Sequence, residues 1–240
     1  MKKMNVFAII LMTSFLVGCG TTAKFVYPAK MDTMVKIQTS PVSDKKVAVL
    51  PFDDYRNAEN TAGTSALCYI PLVPFGWVEY NRPDAARMFI TTGEFEFTPS
   101  EDLPKAAALS LRQSGLFKDA FFTYGGEKGN AEFTLSGEIK STKYLGHIWT
   151  YGLSCFGSYL WIFGAPIGNS ECELALVLTL KKEDKIIWEY TFNRTNKIWQ
   201  GYYYHLGYDT VAYSELMQAA MNEAIVDMAK HFREHPELLK

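Results

Sequence analysis

Hydrophobic and polar positions along this chain follow two regimes, one with a clear period and one with none. Residues 47–52 (Val-Ala-Val-Leu-Pro-Phe) are continuously apolar, as a strand covered on both faces would be, and they stop at the acidic pair Asp53 and Asp54. Leu103, Ala107 and Leu111 recur four residues apart and predict a helix over 103–114, with Asp102 as cap, Pro104 in the first turn and Gly115 as stop. Short strands are expected at 94–97 and 116–122. Phe133, Leu135 and Ile139 alternate with Thr134, Ser136, Glu138 and Lys140, which marks a strand with one face in the core and one face wet. Leu174, Leu176, Leu178 and Leu180 alternate toward a charged turn at 182–185, and Ile186, Trp188, Tyr190 and Phe192 alternate on the way back, so a hairpin is expected. Tyr213, Met217, Ala220, Met221, Ala224 and Met228 stripe one face of a helix over 211–232. The order predicts an α/β (α+β) fold, one mixed β-sheet with two packed helices.

The second regime comprises residues 60–78 and 144–170. Both are apolar, and neither contains Asp, Glu, Lys or Arg. Pro71, Pro74 and Gly76 break the first and Gly157 and Gly164 the second, so neither predicts a long regular helix. Two readings stand for these excursions: they fold over the domain as cover, or they project as an apolar surface for a partner, a neighbouring copy or the lipid interface. In the second reading Tyr69, Phe75, Trp77, Tyr159, Trp161 and Phe163 are the interaction residues. If both excursions leave the same sheet edge, they meet.

The amino terminus follows yet another pattern. Lys2 and Lys3 precede an apolar run at 6–17 that is too short to remain as a spanning helix, and Leu16-Val17-Gly18-Cys19 follows. This tetrapeptide resembles the lipobox of bacterial lipoproteins. The resemblance implies cleavage before Cys19, a diacylglycerol on its thiol and an acyl chain on its amine, a covalent lipid being the sole cofactor expected. Gly20 in place of an aspartate implies sorting to the outer membrane, with the protein lipid-anchored on the periplasmic face. The expected organisation is a signal peptide at 1–18, a lipidated tether at 19–45 whose part near 34–38 lies on the domain, and a single periplasmic domain at 46–240.

Composition narrows the function classes. Lys2 and Lys3 leave with the signal, taking 24 Lys plus Arg to 22 against 26 Asp plus Glu, a net charge near −4 that argues against nucleic acid. Beyond Cys19 the chain holds Cys68, Cys155 and Cys172, in a compartment that permits disulfides. Cys155 with Cys172 closes the shortest loop, while buried reduced thiols are the alternative. The candidate chemical motifs are weak. Residues 231–235 (His-Phe-Arg-Glu-His) have the spacing of an inverted zinc-protease motif but only five residues beyond them, so no metal is expected. The Asp53–Asp54 pair reads as a turn paired with Arg56, Ser154 lacks the flanks of a nucleophile elbow, and no catalytic residue is expected.

Residues 47–52, the 114–117 stretch Ser-Gly-Leu-Phe, the 131–139 strand and the late hairpin followed by a helix together resemble a broad group of periplasmic α/β domains. The group includes the TolB amino-terminal domain, the curli-secretion lipoprotein and the auxiliary lipoproteins of ABC transporters. It implies a non-enzymatic accessory or scaffold component of an envelope assembly or transport system, with envelope proteins or further copies of itself as partners. The alternative is a lipid or small apolar ligand carrier with a pocket under the excursions.

Overall fold

The leucine alternation from 174 to 180 lies within the longest pairing of the fold. β9 (Gly168–Lys182) and β10 (Lys185–Gln200) pair antiparallel along their whole length, well beyond the hairpin the pattern predicts. The computed structural model describes residues 23–37, 42–57, 63–83, 95–125 and 129–239. The other strands are β1 (Ala23–Lys24), β2 (Ser43–Val49), β3 (Asp53–Asp54), β4 (Phe75–Tyr80), β5 (Phe95–Glu96), β6 (Phe117–Phe122), β7 (Phe133–Ser141) and β8 (Tyr144–Trp149). Among the described residues three helices accompany them: α1 (Pro99–Ser114), the single turn α2 (Ser158–Ile162) and the long α3 (Ala212–Glu234).

Eight strands form one curled mixed sheet, a half-barrel, in the order β4-β8-β9-β7-β2-β6, with β10 on the other edge of β9 and β3 on β7. β2 runs parallel to both β6 and β7, and its Val47, Ala48 and Val49 are fully buried, as a central strand requires. β7 and β8 lie in tandem on one edge of β9, β7 against residues 175–182 and β8 against residues 168–172. This tandem divides the sheet into a half backed by helices and a half that continues through β8 to β4.

Helices α1 and α3 back the first half. Leu103, Ala107 and Leu111 of α1, and Tyr213, Met217, Ala220, Met221, Ala224 and Met228 of α3, enter one core with Leu174, Leu176, Leu178 and Leu180. The α1 helix begins four residues before the expected start, because Thr98 and Pro99 supply cap and first turn; the Thr98 amide donates to Asp102 (2.7 Å). Pro104 therefore sits inside the helix, where it leaves the Ser100 carbonyl without its helical donor. The Phe52 amide, just after β2, takes that carbonyl at 3.0 Å. Gly115 ends the helix in the left-handed region, φ 72°. In β10 a bulge at Ile187 shifts the register, so Ile186 is exposed while Trp188 and Phe192 stay buried.

Of the expected tether, residues 23–37 lie against the domain. Ala23 and Lys24 pair with Phe95 and Glu96, Phe25 stacks on Phe97 at 5.0 Å, and Tyr27 bonds to the Ser110 hydroxyl. Gln218 holds the Lys30 backbone at both its amide and its carbonyl, and Asn222 accepts from the Val35 amide at 3.0 Å. Residues 23–37 thus lie along the domain, held by aromatic and amide pairings that leave no period in the sequence.

Candidate functional site

The two uncharged excursions meet. The first forms a 3-10 turn (Ser65–Tyr69) and β4; the second forms β8, a 3-10 turn (Ser154–Gly157) and α2, and β4 pairs antiparallel with β8. Their loops are fastened backbone to backbone: the Thr150 and Tyr151 amides both donate to the Pro74 carbonyl (2.9 and 2.8 Å), and the Leu72 amide donates to the Gly152 carbonyl (2.8 Å). The Thr150 hydroxyl donates to the Cys68 carbonyl and the Ser154 hydroxyl to that of Tyr69. Gly157 lies so close to Thr150 that a Cβ there would sit 2.1 Å from its carbonyl oxygen. Leu72, Tyr151, Ser154 and, beyond β10, His205 hold positive φ, so unfavourable backbone conformations gather here.

A third segment joins them. Residues 198–208 also lack Asp, Glu, Lys and Arg. The Ile167 amide donates to the Gln200 carbonyl (2.8 Å), the Tyr203 hydroxyl donates to the Ile162 carbonyl (2.8 Å), and Tyr202 meets Trp161 edge to face. The result is one end of the molecule with a continuous supply of exposed apolar side chains. Leu72 is 90% exposed, Phe163 85%, Tyr203 71%, Tyr69 68% and Tyr159 61%, with Ile70, Leu153, Phe156, Ile162, Trp199, Tyr202 and Leu206 also exposed.

The six residues expected to form the interaction surface divide evenly by exposure. Tyr69, Tyr159 and Phe163 are exposed, whereas Phe75, Trp77 and Trp161 are half-buried supports. Phe75 packs on His147 and Trp149, Trp77 lies against Gly63, and the Trp161 indole donates to the Trp149 carbonyl at 2.8 Å. Leu72 and the 199–206 residues escaped the sequence reading, although the same absence of charge marks them. The expected Cys155–Cys172 disulfide is not formed: Cys172 is fully buried in β9, Cys155 is at the surface of the second excursion, and both are free, as is Cys68.

A buried polar cluster fastens the base of this end. Asp209 is fully buried; its Oδ2 accepts from the Tyr144 hydroxyl (3.0 Å) and the Ser170 hydroxyl (3.4 Å), while its Oδ1 has no hydrogen-bond partner. Gln200 donates to the Ser170 hydroxyl and accepts from the Gly207 amide, closing the network (both 2.9 Å). Burial pushes the Asp209 carboxyl above its ordinary value, and the Tyr144 and Cys172 groups well above theirs. Charges return at the flanks in pairs, Lys143 with Glu79 and Lys197 with Glu171.

The other sequence candidates lie elsewhere. Arg56, buried, grips Asp54 through two guanidinium nitrogens (2.9 and 2.8 Å) and holds its carboxyl below the ordinary value, so the Asp53–Asp54 pair, expected as a turn, is the short strand β3 on β7 with Asp54 pinned. His231 faces the Ile187 carbonyl at 2.9 Å and His235 faces Glu237. Among the described residues no three His, Cys, Asp or Glu side chains gather as a metal site, and no helix is long and apolar enough to cross a membrane. Cys19 and the lipobox lie outside the described residues.

No protein-family model and no curated protein matches the sequence. Among solved structures, protein XCC0632 from Xanthomonas campestris, of family model DUF330, is similar to this chain. The identity is 10% over 87% of this chain and 92% of that one, with a TM-score of 0.41.

Proposed function

We propose that this chain is a lipoprotein anchored through acylated Cys19 to the periplasmic face of the outer membrane, where its α/β domain serves as a non-enzymatic accessory or scaffold component of an envelope assembly or transport system. The observation that carries the reading is the uncharged end. Large exposed apolar surfaces are rare on proteins that dock with nothing, and this one is held in place by backbone hydrogen bonds rather than left as loose cover. The periplasmic α/β domains that the sequence resembles support the same role. The ligand-carrier alternative calls for a cavity beneath the excursions; two cavities of about 430 Å³ lie at the Lys45–Lys182 end and between β10 and α3, and one of about 310 Å³ lies beside Trp199, His205 and Tyr208 of the third uncharged segment.

Fractionation of cells expressing the wild type and Cys19→Ser tests the anchor. The wild type is expected in outer membranes with Cys19 as its mature amino terminus, and Cys19→Ser is expected unprocessed or released. A mature terminus elsewhere sinks the proposal. Crosslinking in intact cells followed by pull-down then identifies which envelope proteins the domain holds.

A further inference from the structure

We infer that the uncharged end docks on the lipid bilayer itself, so that the anchored domain stands on the membrane through Leu72, Phe163 and their neighbours. The inference rests on the reading of Cys19 as lipidated and specifies what the apolar surface meets. Its first support is the course of the amino-terminal arm. Phe25 lies over Phe97, just before α1, and Tyr27 reaches Ser110 near the other end of α1; Lys30 meets Gln218 and Val35 meets Asn222 farther along α3. Read backward from 37 to 23, the arm therefore runs toward the amino-terminal ends of both helices. The start of α3 lies at the base of the apolar end, since Tyr213 donates to the Thr142 carbonyl just before β8 and Asp209 bonds Tyr144. From Ala23 only four residues lead to Cys19, a reach of at most about 14 Å. At Ala23 the described arm thus heads toward the pole that carries the apolar end.

The second support is the chemistry of the two poles. The apolar pole offers Trp, Tyr, Phe and Leu with no formal charge, the composition that favours the boundary between headgroups and acyl chains. Behind it stand the paired charges Lys143–Glu79 and Lys197–Glu171, placed where headgroups and water would meet the protein. The opposite pole carries the turn between β9 and β10, with Lys181, Lys182, Glu183, Asp184 and Lys185, the last three exposed.

The test uses the full chain, produced in a host that processes lipoproteins, weighed by mass spectrometry and reconstituted into phosphatidylcholine–phosphatidylglycerol vesicles with or without brominated acyl chains. Trp77, Trp149, Trp161 and Trp199 lie at the apolar pole or on the strands leading to it, whereas Trp188 is buried in β10 near the opposite turn. Bromine is expected to quench the fluorescence of the acylated wild type, and Leu72→Asp with Phe163→Asp is expected to remove the quenching at unchanged acylation. The exposed Cys155 thiol should react with an impermeant maleimide about tenfold faster in that variant than in the wild type. Acylated wild-type protein that brominated lipid leaves unquenched overturns the docking and leaves the anchor standing; an unacylated terminus overturns the anchor. Efficient Cys155-to-Cys155 crosslinking without bromine quenching overturns the lipid assignment in favour of a second copy.

Discussion

Two lengths of one strand, β9, meet opposite fates. From 174 to 180 its leucines are sealed beneath α1 and α3, and the neighbouring elements put Lys, Glu and Asp on their wet faces. From 168 to 172 the same strand pairs with β8 and through it reaches β4, where the connecting loops expose leucine, phenylalanine and tyrosine with no charge among them. Both halves are rich in apolar residues, so apolar content does not distinguish core from surface. Charge does: a segment that only covers a core needs a wetted outer face, and residues 63–78, 144–170 and 198–208 spend that face on more apolar side chains.

The contrast breaks most visibly if core and apolar end respond alike to truncation. Leu178→Ala in β9 or Met221→Ala in α3 is expected to cost about 2–5 kcal/mol in a denaturant melt, because each side chain is essentially fully enclosed. Gly157→Ala is expected to cost about 1–3 kcal/mol, the added Cβ having only the Thr150 backbone to push against. Hydrogen exchange should place that loss in 144–167 and leave 174–180 protected; uniform loss would mean that the two halves are one cooperative unit. Asp209 and Asp54 should separate by the sign of their pH dependence. Burial raises the Asp209 carboxyl, so its contribution is fullest below the ordinary 3.8 and declines as pH rises through the raised folded value. Arg56 lowers that of Asp54, so its contribution is present above 3.8 and lost as pH falls through the depressed value. Asp209→Asn and Asp54→Asn should therefore change the pH profile of stability in opposite senses, and parallel changes would refute the assignment. Smallest of all, Phe163→Asp is expected to shift stability by no more than about 0.5 kcal/mol, and a larger loss would put Phe163 in the core.

What the sequence disclosed follows the same division. Wherever a side chain's fate is set by its own period, as in β7, the leucines of β9, and α3, pattern and structure agree. The β4 and β8 strands were hidden because uniformly apolar runs carry no alternation to read. The seat of the arm was hidden because Phe25 on Phe97 and Lys30 on Gln218 are single long-range pairings. Trp161 and Phe163 show the limit within the site: two residues apart and equally aromatic, they part because the Trp161 indole finds the Trp149 carbonyl and Phe163 passes the end of α2. Which aromatic supports and which one projects is decided by neighbours far along the chain.

The arm also sets an order of events. Lys30 bonds a residue 188 positions away and Val35 one 187 away, both on α3, so the seat of the arm does not exist until nearly the whole chain is available. Closing so long a loop is entropically unfavourable for an unstructured chain, but the cost falls once sheet and helices have already brought the ends together. During directional synthesis the arm emerges ahead of everything it binds. The residues made first are seated last.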